Sequence, residues 1–238
     1  MQLSTNGVQD IGAGGPICRD PGAIGWEYSR SETIADLTIH IIGLCFGVAA
    51  IAVLLALSAT HAATTDIVAD SIYSFGLLSV LTLSASYNLW PVCPTKWRLR
   101  RLDQSAIFVL IAATYTPFVV NAKAGTVALA VLIGVWCVAV LGVVLKLALP
   151  GRLERFSICV YVGMGWSIVI LRSANDVPIP SFAFRLLVAG GALVTFGLIF
   201  HMWQKLRFQN AIWHVFVLLG ITCHYLAVLN TVLSEATT

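Results

Sequence analysis

Two pairs of polar residues stand four positions apart in otherwise apolar runs: Ser84 with Asn88, and Asn210 with His214. At helical spacing each pair shares one face. A further carboxylate, Asp103, enters an apolar run directly after the basic stretch Lys96–Arg101. An ionisable group at the mouth of a lipid-buried helix is costly and by default marks function. The other reading of Asp103 is an N-cap that satisfies the first turn and complements the helix dipole. Spacing alone leaves both open.

The elements that must carry these groups are membrane helices. Of 238 residues, 58% are hydrophobic and 11% charged, against about a quarter charged in ordinary soluble domains. The mean hydropathy of +0.89 agrees. A net charge of +3 is too small for a nucleic-acid partner, and its positives lie in short loops beside apolar runs, which is a topology signal. Of the six cysteines none forms a CxxC, and Cys45, Cys137, Cys159 and Cys223 lie inside apolar runs. They read as small buried residues, not as a disulfide framework or thiolate metal site.

Residues 1–33 hold Gly, Pro and polar residues without the apolar run a signal peptide needs, and read as a mostly disordered tail. Seven apolar stretches follow, at about 35–59, 66–90, 104–121, 125–147, 155–173, 183–204 and 211–233, each near the length that crosses a bilayer. The expected fold is all-α: one seven-helix transmembrane domain over 34–235, with a short external tail at 236–238. Pro117 should bend or end the third helix. Lys96, Arg98, Arg100, Arg101, Lys146, Arg152, Arg155, Lys205 and Arg207 fall in alternate loops, against Lys123, Arg172 and Arg185 on the other side. Positive loops stay cytoplasmic, so the N-terminus is expected inside and the C-terminus outside. Ser84, Asn88, Asp103, Asn210 and His214 then lie at one depth, with His40 opening helix 1 and His201 closing helix 6 at the same level. Such a plane of polar groups should face the bundle interior. His224, about 15 Å deeper at 1.5 Å per residue, reads as a hydrogen-bond partner of a neighbouring helix, and His61 as solvated. Gly163, Gly165, Gly190, Gly191 and Gly197 read as close-packing positions.

Ser84-x-x-Tyr87, Arg100-Arg101-Leu102-Asp103 and Ile111-Ala112-Ala113-Thr114-Tyr115-Thr116-Pro117 resemble the hemolysin III family, within the progestin and adipoQ receptor group. Glu32, Thr38-x-His40, Met164-Gly165-Trp166, Gly190-Gly191 and Ala211–Val217 extend the resemblance over roughly residues 32–235. It implies seven helices in a multi-pass cell-membrane protein. It also implies a zinc site: Ser-x-x-x-His at the end of helix 2, Asp on helix 3 and His-x-x-x-His on helix 7. Three imidazoles and a water would make a catalytic centre, with a chemistry like that of ceramidases acting on a lipid amide. Ser84, Asp103 and His214 match this pattern, while Asn88 and Asn210 stand where two histidines belong. A carboxamide is a far poorer zinc ligand than imidazole.

Three readings follow. The first is a hemolysin III-type membrane or sensor component without catalysis, holding no zinc or holding it weakly. The second is a lipid amide hydrolase with a rearranged site, in which His40 and His201 replace the missing ligands. There Asp103 would orient or deprotonate water, and Ser84 would stabilise the oxyanion. The third is a pore-forming or membrane-perturbing protein, although no aligned series of intramembrane charges argues for an ion path. The partners expected are membrane lipids and, under the second reading, a lipid amide in the bundle.

Overall fold

The computed structural model describes residues 28–61, 63–120, 125–149, 154–173, 179–203 and 205–235. Ser29 and Glu32 open the first helix reciprocally: the Glu32 carboxylate accepts the Ser29 backbone N–H at 2.9 Å, and the Ser29 hydroxyl faces the Glu32 N–H at 3.4 Å. This capping box satisfies two orphan donors of the first turn. Seven helices result: α1 Arg30–His61, α2 Thr64–Leu89, α3 Pro94–Val120, α4 Thr126–Ala148, α5 Glu154–Ser173, α6 Ser181–Met202 and α7 Gln209–Glu235. The described residues contain no strand. Six of the helices are long and apolar enough to cross a membrane, and the apolar part of α5, Arg155–Val169, is shorter. The expected N-terminal tail up to residue 27 and the C-terminal residues 236–238 lie outside the described residues.

α3 is the most enclosed of the six, packing against α2, α4, α5 and α7. The Lys146 ammonium of α4 donates to Gln104 Oε1 at 3.1 Å, and Trp136 Nε1 donates to the Thr116 hydroxyl at 3.2 Å. Later residues of α4 thus meet earlier ones of α3, so the two run antiparallel. On α5, Tyr161 donates to the Gln104 carbonyl at 2.8 Å, while the Tyr115 hydroxyl donates to the Met164 carbonyl at 2.6 Å. α1 packs on α2 and α7, and α6 on α7. Many large apolar side chains remain outward, among them Val48, Phe75, Ile133, Val140 and Phe196, the surface that lipid covers.

Several sequence expectations change here. α3 starts at Pro94, not near residue 104. Proline suits the first helical position, and Lys and Arg are good helix formers, so the basic loop is wound into the helix. Asp103 therefore sits nine residues past Pro94, too deep to be an N-cap. Nor does Pro117 end α3, which continues to Val120. Cys45, Cys137 and Cys159 are exposed, and the described cysteines are all free. These helices are apolar all round, and a small residue sits on the lipid side as readily as inside. A methyl group built on Gly163 or Gly165 meets nothing within 4 Å, whereas one on Gly190 stands 2.5 Å from the His224 ring and 2.9 Å from the Gly220 carbonyl. Close packing by glycine thus holds for Gly190 and Gly197 of α6 against α7, as it does for Gly76 of α2 against α3, and not for Gly163 and Gly165 of α5.

Candidate functional site

At the end of the bundle carrying Lys96 and Arg98–Arg101, four helices contribute to one chain of polar side chains. Its centre is Asp36 on α1, buried at 7% exposure. Asp36 Oδ1 lies 2.6 Å from His214 Nδ1 on α7, and Asp36 Oδ2 accepts the Asn210 amide at 3.0 Å. The same amide nitrogen donates to Asn88 Oδ1 on α2 at 2.9 Å. Asn88 in turn donates to the Ser84 carbonyl at 2.9 Å, and the Ser84 side chain lies beside the carboxylate of Asp103 on α3. Asp36 and His40 are i,i+4 on α1 and so share a face. His40 Nε2 stands 3.6 Å from Asp36 Oδ2, and its ring lies 4.5 Å, centroid to centroid, from that of His214.

Helix spacing explains the convergence. Asn210 and His214 occupy one face of α7, and Ser84 and Asn88 one face of α2. Buried carboxamides and carboxylates without partners are expensive in lipid, so each finds its partner on another helix. Around the cluster, Lys96 donates to the carbonyls of Asn88 at 3.2 Å and Trp90 at 2.8 Å, satisfying the C-terminal end of α2. Glu32 Oε1 accepts the backbone N–H of Phe208 at 3.0 Å. Phe208 holds a left-handed φ of 60°, a conformation costly for a bulky side chain. That hydrogen bond ties the strained turn between α6 and α7 to the start of α1.

Ser84, Asn88, Asn210 and His214 are thus joined through hydrogen bonds, with Asp103 beside Ser84 and with Asp36 as a member that the sequence reading did not single out. His40 lies against His214. His201 is different: it is exposed and its ring packs at 4.9 Å on Trp213. Trp213 precedes His214 by one residue, about 100° around the helix, so it faces α6 while His214 faces α1. His201 thus lies apart from Asp36, His40 and His214 in this structure. His224 donates to the Leu187 carbonyl of α6, the interhelical bond expected for it. The side chain of His61 lies outside the described residues. Asp36 had a signal in the sequence, because Asp36/His40 repeats the i,i+4 spacing of the other two pairs.

The chain does not fit the zinc set that the resemblance implies. Asn88 and Asn210 occupy two ligand positions, and their amide groups are spent on each other and on Asp36. The three ligand-bearing side chains that do cluster are Asp36, His40 and His214, whose ligand atoms all lie within 4.8 Å of one another.

Apolar helices and a buried polar cluster at one end define a multi-pass membrane protein. The chain belongs to the haemolysin-III related family, whose model matches residues 28–225. The "Hemolysin-3 homolog" of Bacillus subtilis is 35% identical over 202 residues, covering 85% of this chain and 95% of that protein. "Hemolysin-3" of Bacillus cereus is 32% identical over 205 residues, covering 86% and 94%. The human "Monocyte to macrophage differentiation factor", of the progestin and adipoQ receptor family, is 25% identical over 166 residues, covering 66% and 67%. No solved structure matches the chain.

Proposed function

We propose that this protein is a seven-span hemolysin III-type membrane component that works by binding and sensing rather than by hydrolysis. The observation that carries this reading is the Asn210–Asn88 hydrogen bond of 2.9 Å. Two carboxamides bonded to each other stand where a hydrolytic zinc would need two imidazoles to activate water. The experiment compares wild type with the Asn88→His, Asn210→His double variant. In the variant, residues 210 and 214 become an i,i+4 histidine pair, the spacing at which two imidazoles on one helix reach one metal. The wild type should release no fatty acid from ceramide with zinc added, while the variant should bind zinc more tightly than the wild type. Ceramide turnover by the wild type would overturn the noncatalytic reading.

A second reading, a lipid amide hydrolase with a rearranged site, draws on Asp36 joining His40 and His214. It would need Asp103 as the group handling water and Ser84 beside the oxyanion. It requires turnover that falls on Asp103→Asn and on Ser84→Ala, while the first reading requires none to lose.

The seventh span is part of the same proposal. α4 ends beside the start of α3, and α6 ends beside the start of α7. The starts of α3 and α7 flank one cluster, so α6 begins at the opposite end from where α4 stops. α5 would then bridge the two ends, and its 20 residues reach about 30 Å at 1.5 Å per residue.

A further inference from the structure

We infer that Asp36, His40 and His214 form a binding site for one divalent transition-metal ion, built from α1 and α7. The inference does not depend on whether the protein hydrolyses anything. It differs from the set the family resemblance implies, which draws its imidazoles from the ends of helices 2 and 7. Here α1 supplies two ligands, and the two asparagines surround the site without belonging to it.

Three observations support it. The first is the donor set: two imidazoles and one carboxylate, with ligand atoms within 4.8 Å of one another. Metal–nitrogen and metal–oxygen distances near 2.0–2.2 Å would require these atoms to close inward by about an ångström or less, within the reach of small side-chain rotations. The second is His40 Nε2. It is buried, has no hydrogen-bond partner and lies 3.6 Å from Asp36 Oδ2. A buried ring nitrogen without a partner is costly, and a metal ion between it and the carboxylate would remove the deficit. The third is the surround. Asn210 fixes Asp36 Oδ2 and Asn88 fixes Asn210, the orienting contacts that a ligating carboxylate ordinarily has. Asp103 lies within electrostatic reach of His40, and Lys96 within reach of Asp36. The two carboxylates balance the Lys96 ammonium and the Arg100 guanidinium, so the donor set rather than the surrounding charge carries the site.

Ligand chemistry sets the class of ion. Imidazole suits zinc, cobalt, nickel and ferrous iron, whereas magnesium and calcium prefer all-oxygen sites. A neutral His214 carries one N–H, so a metal at Nε2 leaves that hydrogen bonded to Asp36 and a metal at Nδ1 shifts it to Nε2; neither arrangement needs a proton to leave.

The test uses the full chain purified in detergent, stripped with chelator and titrated with Zn²⁺, Co²⁺ and Mg²⁺ alone. The expected result is one Zn²⁺ or Co²⁺ per chain, a ligand-field absorption band with Co²⁺, a raised Tm and no response to Mg²⁺. His40→Gln and Asp36→Asn should each weaken affinity at least about tenfold, no less than loss of an orienting contact does. His201→Gln should leave it unchanged. Because His40 Nε2 has no hydrogen-bond partner to lose, His40→Gln remains informative even where Asp36→Asn proves unstable. No binding, binding unchanged in His40→Gln, or binding lost in His201→Gln would each overturn the assignment. A Zn²⁺ response matched by Mg²⁺ would mean an adventitious ion only and would also overturn it.

Discussion

Asp36 bonds His214 and Asn210 at once, so it organises the polar cluster more than any residue flagged by the family resemblance. Replacing it with leucine would leave the Asn210 amide and His214 Nδ1 buried without that acceptor. Each stranded group costs about 1–3 kcal/mol, so Asp36→Leu should lower the Tm markedly in a detergent melt. Asp36→Asn keeps an acceptor oxygen and should lose less. Equal losses in the two variants would show that the site is held by packing alone. Ser84, Asp103 and His214 were legible because their types and spacing stand out in apolar runs. The role of Asp36 was not, because it depends on α1 lying against α7, and no local pattern encodes that neighbour. Asn88 and Asn210 were legible as departures from a zinc pattern, but not as partners of each other.

At the scale of helices, apolar length was the dependable signal, and six of the seven segments appear close to their expected bounds. The exception is α3, where Lys and Arg hid a helical start that the Pro94 position and helix propensity would have supported. Glycine types in the sequence also gave no indication of which ones sit at an interface. Only the assembled bundle separates Gly190, facing His224 and the Gly220 carbonyl, from Gly165, facing nothing within 4 Å. Gly190→Ala must displace the imidazole and press on backbone, an overpacking cost of roughly 1–3 kcal/mol. Gly165→Ala adds a methyl in open space and gains up to about 1 kcal/mol of helix propensity. Thermal melts should therefore move in opposite directions. A Gly190→Ala protein as stable as the wild type would mean that α6 and α7 are less tightly apposed than described.

For the whole molecule, the interlocking contacts and the charge pattern bear on one question, the orientation of the bundle. The cluster of Asp36, Asn88, Asp103 and Asn210 lies at the end where Lys96 caps α2 and where Glu32 holds the turn before α7. Arg98, Arg100, Arg101, Lys205 and Arg207 belong to the same end. Short loops rich in Lys and Arg are retained in the cytoplasm, so this end should face inward and the turn at Ala63 outward. Single cysteines at Ala63 and Lys205, in a background without the native cysteines, would report this to a membrane-impermeant thiol reagent on intact cells. Labelling is expected at position 63, and at position 205 only after permeabilisation. The pair also tests the seventh span, because both ends of α6 would exchange sides if α5 lay along the surface. Labelling of both positions on intact cells would remove α5 as a crossing helix. Labelling of position 205 alone would invert the bundle and place the Asp36 cluster at the outer leaflet.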